Sequence, residues 1–494
     1  MNQDEFTTST AQWTLVIHRV TDISAEIWVG TLFPTLKKPA QARVELTLPD
    51  GSMRTRQIVK ADWKRPFKKL KQRFYTVCRF ENLTPGKRYA VTFSRRIEKL
   101  KDVFAQDWQE LKGGTFDTLP SRLPLKGKKP FTLGLGSCFY NHRDGGQAAA
   151  SYKALYARGS DAVRPDITFL TGDQVYLDIG FDSLSLIPHE IRQRVADDYA
   201  QHWQALGSIL NRGGTWMLPD DHEYWNDYPF YDSLIPTLFA LKLPWVRKAW
   251  KGAARDAVKN IQRSPQVETF SIGKDLSICL ADLRSFRKKR KMISDQAFAL
   301  IVNWASSLKS PGVFVSPQPL IVEKNPDERN LLSFQAQYIE LLKAFAHSGH
   351  DIVLLTGDVH FGRIATVPLG NYGARLVEVI ASPLSNLTGL NGIATSGPKS
   401  KPKQFPDPKA VKIEGWNPAT VTYDAVFNVK TKKGRLLSAY PRERTREHFM
   451  TVSFCRLETG AIQLSVDAWR VRERSGPKNL PVKDFKKPFT FTLK

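Results

Sequence analysis

Asp, His and Tyr side chains gather at three places in this chain: Leu170-Thr-Gly-Asp-Gln-Val-Tyr176, Leu218-Pro-Asp-Asp-His-Glu223 and Leu354-Leu-Thr-Gly-Asp-Val-His360. Each group ends an apolar run. Oxygen and nitrogen donors gathered at the ends of buried strands are what a hard or borderline metal ion needs. A single Gly-Asp after a strand is ordinary turn chemistry; its recurrence with Tyr or His attached points to one metal site. Taken singly, Asp173 could cap a turn and Tyr176 could be a packed aromatic. Asp220 and Asp221 are neighbours whose side chains should diverge, so which of them is the ligand stays open. Cys138, after Gly134-Leu-Gly-Ser137 at another strand end, adds a thiol. Cys78, Cys279 and Cys455 lie within apolar strand patterns and read as packing.

The elements that must position these residues change in texture near residue 120. From about Trp13 to Leu119 the chain alternates apolar and polar positions in short runs, as in Trp13-Thr-Leu-Val-Ile-His18 and Phe74-Tyr-Thr-Val-Cys-Arg-Phe80. With Leu83-Thr-Pro-Gly-Lys-Arg-Tyr89 near its end, this region is expected to form a small fibronectin-like β-sandwich over residues 1–120. The polar, proline-bearing stretch Leu119–Pro130 reads as a linker. Beyond it, buried-type strands such as Phe131-Thr-Leu-Gly-Leu-Gly136 and Asp351-Ile-Val-Leu-Leu355 alternate with helical patterns at 189–195 and 334–343. That alternation predicts an α/β domain over 131–494. Phe449–Phe454 and Gln463–Trp469 are expected to return to it as a hairpin. A basic, proline-rich stretch at about 390–420 is expected to be a surface loop.

In open α/β folds ligands bind where strand carboxyl ends converge. Five strand ends here deliver Cys138, Asp173, Asp220-Asp-His-Glu223, Asp282-Leu-Arg-Ser-Phe-Arg287 and Asp358-Val-His360.

At 494 residues the chain is too long for one hydrophobic core. An apolar content of 41% excludes a disordered protein. The 73 Lys and Arg against 48 Asp and Glu give a formal charge of +25, which favours anionic partners. No span approaches membrane length, no secretion signal is visible at Met1–Thr10, and the few scattered cysteines fit a reducing compartment. A cytoplasmic location is therefore expected.

In order along the chain, Gly136-Ser-Cys138, Gly172-Asp-Gln-Val-Tyr176, Asp220-Asp-His-Glu-Tyr-Trp-Asn-Asp227, Asp282-Leu-Arg-Ser-Phe-Arg287 and Gly357-Asp-Val-His360 resemble the motif set of the PhoD-like phosphatases. These are calcineurin-like metallophosphoesterases related to purple acid phosphatases. The resemblance covers about residues 12 to 494 and implies a four-layer αββα sandwich behind the N-terminal β region. It implies that Cys138, Asp173, Tyr176 and His360 hold iron(III). Asp173 would bridge to calcium or another divalent ion, with Asp221 (or Asp220), Asp358 and Asn226 around it. His222 would act as general acid, and Arg284 or Arg287 would clamp the phosphate. The implied reaction is hydrolysis of a phosphate monoester or diester by metal-activated water, as in a phosphodiesterase or alkaline phosphatase. Two departures stand out: Pro219 replaces the family's usual tryptophan, and no export signal is seen.

A competing expectation is a non-catalytic polyanion- or nucleic-acid-binding protein. It rests on basic stretches with interleaved aromatics, Lys64-Arg-Pro-Phe-Lys-Lys-Leu-Lys-Gln-Arg73 and Arg284-Ser-Phe-Arg-Lys-Lys-Arg-Lys291.

Overall fold

The short apolar runs form the interiors of two sheets, because unbroken Val, Ile, Leu and Phe suit strands buried on both faces. The computed structural model describes residues 10–35, 38–96, 108–232, 236–324, 329–387, 401–428 and 446–494. Phe131–Gly136, Ile167–Thr171 and Gly214–Leu218 pair in parallel and are wholly buried. The C-terminal hairpin, His448–Arg456 with Ile462–Ser475, joins them antiparallel, with Val452 opposite Leu133. In the second sheet Leu276–Ala281, Gly312–Val315, Ile352–Thr356 and Arg375–Ile380 run parallel.

Period-two alternation assigns each strand face. Leu133 and Leu135 of the first sheet share an apolar core with Ile278, Leu280, Val353 and Leu355 of the second. The alternate residues Leu170 and Met217 pack instead with helices Gln147–Arg158, Pro188–Leu210 and Pro244–Ala257. Cys279 and Leu354 pack with helices Asp295–Ser306 and Gln335–His347. The helix Pro188–Leu210 starts on a proline, whose missing N–H costs nothing at that position. It buries Ile191, Val195, Tyr199, Trp203, Leu206 and Leu210, three or four residues apart, along one face.

In the N-terminal region Trp13–His18, Ala25–Thr31 and Phe74–Phe80 pair antiparallel. Gln41–Thr47, Met53–Val59, Arg88–Arg96 and Trp108–Asp117 form a separate four-stranded sheet. The Tyr89 hydroxyl accepts the Thr84 amide at 2.8 Å, closing the turn between them. The first three strands are continuous with the larger sheet, since His18 pairs in parallel with Thr215. The fold is thus mixed α/β with several sheets.

Part of the expected basic loop at 390–420, residues 390–400, lies outside the described residues. The remainder does not behave as a surface insertion. Gln404–Phe405 pairs with Ala419–Thr420, and Phe405, Val411, Ile413 and Trp416 enter the core beside the second sheet. Four apolar side chains among lysines and prolines suffice to anchor it. Among the described residues no helix is long and apolar enough to cross a membrane.

Candidate metal centre

Backbone geometry marks the site before any side chain does. Cys138, Asp173 and Asp358 have φ of 55°, 56° and 65°, in the left-handed region that non-glycine residues seldom enter. Each follows a strand directly or by one or two residues. Such strain persists only where the surroundings hold it, and it clusters at functional sites. Here the bracing is explicit. Cys138 N donates to Gly172 O at 3.2 Å, Phe139 N to Asp173 O at 2.8 Å and Ser385 N to Cys138 O at 3.1 Å. Two glycines permit this closeness: a Cβ on Gly357 would lie 2.1 Å from Ser137 Oγ, and one on Gly172 would lie 2.7 Å from Asp220 Cβ.

These corners aim their side chains at one another. Cys138 Sγ lies 3.5 Å from Asp173 Oδ2 and 3.2 Å from the Asp358 carbonyl. Ligand atoms of Asp173, Asp221 and His222 lie within 4.8 Å of one another, and so do those of Asp220, Asp221 and Asp358. Asp221 is the carboxylate common to both groups. The Tyr176 ring packs against His222 with centroids 4.4 Å apart. His360 is near enough to feel the charges of His222 and Asp221. The Asn226 side chain donates to Asp227 Oδ2 at 3.5 Å, and its backbone amide donates to Asp178 Oδ2 at 2.8 Å.

Five buried donor atoms here have no hydrogen-bond partner: Asp173 Oδ1, Tyr176 Oη, Asp220 Oδ2, Asp221 Oδ1 and His360 Nδ1. Leaving so many buried polar atoms unmet is costly in a folded protein. Three of them belong to carboxylates whose ligand atoms lie close enough together to hold a cation, so the donor set fits a metal. Electrostatics agree. Burial pushes Asp173 and Asp358 well above the usual carboxylate range, and neighbouring carboxylates add to the shift. Burial likewise raises the Cys138 thiol and the Tyr176 phenol, and nearby carboxylates reinforce it. For Asp221 burial opposes ionisation, but Arg284 and His222 outweigh it and hold the group below its ordinary value. Acids crowded in this way ionise together only against positive charge.

Around these residues lies a set of supports. Asp178 Oδ1 holds His222 Nδ1 at 2.7 Å, which fixes the ring. Burial disfavours charge on His222, yet Asp178, Asp173 and Asp221 together hold its pKa well above the ordinary histidine value. The Glu223 carboxylate accepts backbone amides of Asp173 (3.0 Å), Gln174 (2.7 Å) and Asp220 (2.8 Å), tying two ligand loops to one side chain. Gln318 Nε2 donates to Asp358 Oδ2 at 2.9 Å.

Both arginines expected to clamp a phosphate are bonded within the protein. Arg284 Nε donates to Asp220, and its Nη1 donates to Tyr228 O at 3.1 Å. Arg287 donates to Leu283 O at 3.1 Å and to Gln318 Oε1 at 2.6 Å. With 1% and 3% exposure, a guanidinium must be paired inside the protein, and these two are. Sequence reading assigned no role to Asp178, Glu223 or Gln318. The first two had a signal, since Asp178 lies two residues past Tyr176 and Glu223 ends the Asp-Asp-His-Glu run. A cavity of about 860 Å³ opens next to the centre, lined by Tyr140, His142, Ile179, His189, Glu190 and Arg194. Tyr140 separates it from Tyr176, the two rings edge to face at 5.7 Å.

No family model matches the chain, and no curated protein does either. Among solved structures, one described as the structure of PhoD is similar over 98% of this chain and 91% of its own, at 14% identity and a TM-score of 0.61. A Bacteroides uniformis β-glucuronidase is similar over 68% of this chain and 44% of its own, at 7% identity and a TM-score of 0.24, too low to carry an argument. Motif order, strand-end geometry and this likeness agree: the chain has a PhoD-like fold along nearly its whole length.

Proposed function

We propose that the protein is a metal-dependent phosphoesterase acting on phosphate monoesters or diesters. The observation that carries this reading is the five unpartnered donor atoms around Asp173 and Asp221. The PhoD-like fold supports it. In this reading Cys138, Asp173, Tyr176 and His360 hold iron(III), whose preference for anionic thiolate, phenolate and carboxylate donors they match. Asp221 and Asp358, with Asp220, hold calcium or another divalent ion. Two such cations supply charge neutralisation of the phosphate and a bound water of lowered pKa.

The chain's own residues do the rest. Asp178 keeps Nδ1 of His222 occupied, so Nε2 is the nitrogen left to give a proton to the departing ester oxygen. Arg284 pins one oxygen of Asp220 and leaves Oδ2 for the site. Glu223 sets the spacing between the loops of Asp173 and Asp220. We also read the two sheets and their flanking helices as the four layers of the αββα sandwich, with residues 1–120 as a fibronectin-like unit attached at one sheet edge. The test is elemental analysis together with hydrolysis of a generic phosphodiester. Bound metal and turnover are expected. Protein free of metal and inactive with iron and calcium supplied would sink the reading.

A further inference from the structure

Seven of the thirteen large apolar side chains exposed among the described residues lie on the three segments that lead away from the metal centre. Leu184, Leu186 and Ile187 follow Asp173 and Asp178 along the first. Tyr231, Phe239 and Trp245 follow Asp221 and His222 along the second. Phe286 stands between Arg284 and Arg287 on the third. Their exposures run from 41% at Leu184 to 54% at Ile187, so none is core that strays slightly into solvent.

The three segments are fastened together. The turn Phe181–Leu184 packs on Pro236–Lys242, which packs on the helix Pro244–Ala257. Tyr224 Oη donates to Ser285 Oγ at 2.9 Å, joining the second segment to the third. The cavity beside the centre opens on this rim, since Ser185 and His189 line it.

Cations are interleaved with the apolar groups. Lys242 lies over Phe239 at 4.7 Å, Arg247 over Tyr231 at 4.0 Å and Lys251 over Tyr228 at 5.4 Å. Lys248 is exposed one turn after Trp245, and Lys288, Lys289 and Arg290 are exposed just after Phe286. Lys68 N donates to Asp256 at 3.0 Å, which brings the basic stretch Lys64–Arg73 to the far end of the same helix.

Solvated charge or a polyanion would account for the lysines but not for seven apolar side chains among them. Leucine, isoleucine and aromatic groups on a rim with basic neighbours are what an interfacial surface requires. Aromatic rings settle at the headgroup level, and lysine stems lie along apolar surface with their charges in the anionic layer. We propose that this rim docks the protein on an anionic phospholipid bilayer, with the metal centre turned toward the surface. The docking does not depend on the phosphoesterase reading, because vesicle binding is measured without turnover.

The experiment is co-sedimentation of the full chain with phosphatidylcholine vesicles, with and without phosphatidylglycerol. Binding stronger by about tenfold or more to the anionic vesicles is expected. The double substitution Trp245→Ser/Phe286→Ser should lower it by about tenfold, as removal of buried apolar area does. Both side chains are exposed, and an unchanged melting temperature certifies the variant's fold. Lys248→Glu/Lys251→Glu should weaken binding as well. Asp173→Asn should bind as the parent does, so loss of activity and loss of docking are separable. Equal binding to both vesicle types overturns the proposal. So does anionic binding that the apolar substitutions leave untouched, which would be adsorption by charge alone. A single-stranded oligonucleotide retained where vesicles are not would overturn it in favour of a nucleic-acid face.

Discussion

Among the described residues two arginine–carboxylate pairs are buried on both sides, and they are built to different ends. Arg363 with Glu378 is fully satisfied: Glu378 Oε2 accepts the amides of Leu320 (2.9 Å) and Ile321 (3.0 Å), while Oε1 accepts from the guanidinium. Arg284 with Asp220 is just as buried, yet Asp220 Oδ2 has no hydrogen-bond partner, and Asp221 Oδ1 beside it has none either, only the Arg284 charge at 3.9 Å. Burial and charge are alike in the two. What differs is whether the bonding capacity of the acid is used up, and only the unfinished pair sits among other unfinished donors. Completeness therefore separates a pair that holds the second sheet together from one that leaves acid oxygens unbonded beside other acids.

The comparison can be broken from either side. The largest effect belongs to the finished pair: Arg363→Ala should cost about 3–5 kcal/mol of stability, because it strands a buried carboxylate. Denaturant unfolding measures this, and a loss below about 1 kcal/mol would show the pair to be dispensable. Asp173→Asn in the unfinished cluster should do the reverse. Turnover should fall by about a hundredfold or more while the melting temperature of the metal-free protein holds or rises, since one crowded acid is neutralised. Asp178→Asn should lower turnover about tenfold and leave metal content unchanged, because Asp178 acts through the orientation and the raised pKa of His222 and is not itself among the proposed ligands. The mildest change is spectroscopic. Tyr176→Phe should remove any phenolate-to-iron charge-transfer colour with little change in melting temperature, and colour that survives would place the phenol outside the metal shell.

Much of the candidate site was legible in the sequence because its Cys, Asp and His residues follow strand ends, and strand ends converge in this fold class. Cys138, Asp173, Asp221 and Asp358 could be collected from spacing alone. The arginines could not. Arg284 and Arg287 look like anion clamps from their position, but whether a guanidinium faces outward depends on which carboxylates and carbonyls fold against it. Gln318 was hidden for a related reason: it acts on side chains distant in sequence, Asp358 and Arg287. In the N-terminal region the strand Met53–Val59 was missed because Arg54 and Arg56 stand in solvent and the run shows only Ile58 buried. The stretch 401–420 misled in the opposite direction, its prolines and lysines masking four anchoring side chains.

The left-handed corners at Cys138, Asp173 and Asp358 bear on how the protein opens. The Cys138 and Asp173 corners are tied through their backbone to neighbouring strands' loops, and the Asp358 carbonyl is met by the Cys138 thiol, so these loops hold one another. Opening the centre means breaking ties between loops of both sheets. Slow amide exchange at Cys138, Phe139 and Ser385, at rates matching global unfolding, is the expected signature. The centre would then be among the last parts of the molecule to let in water.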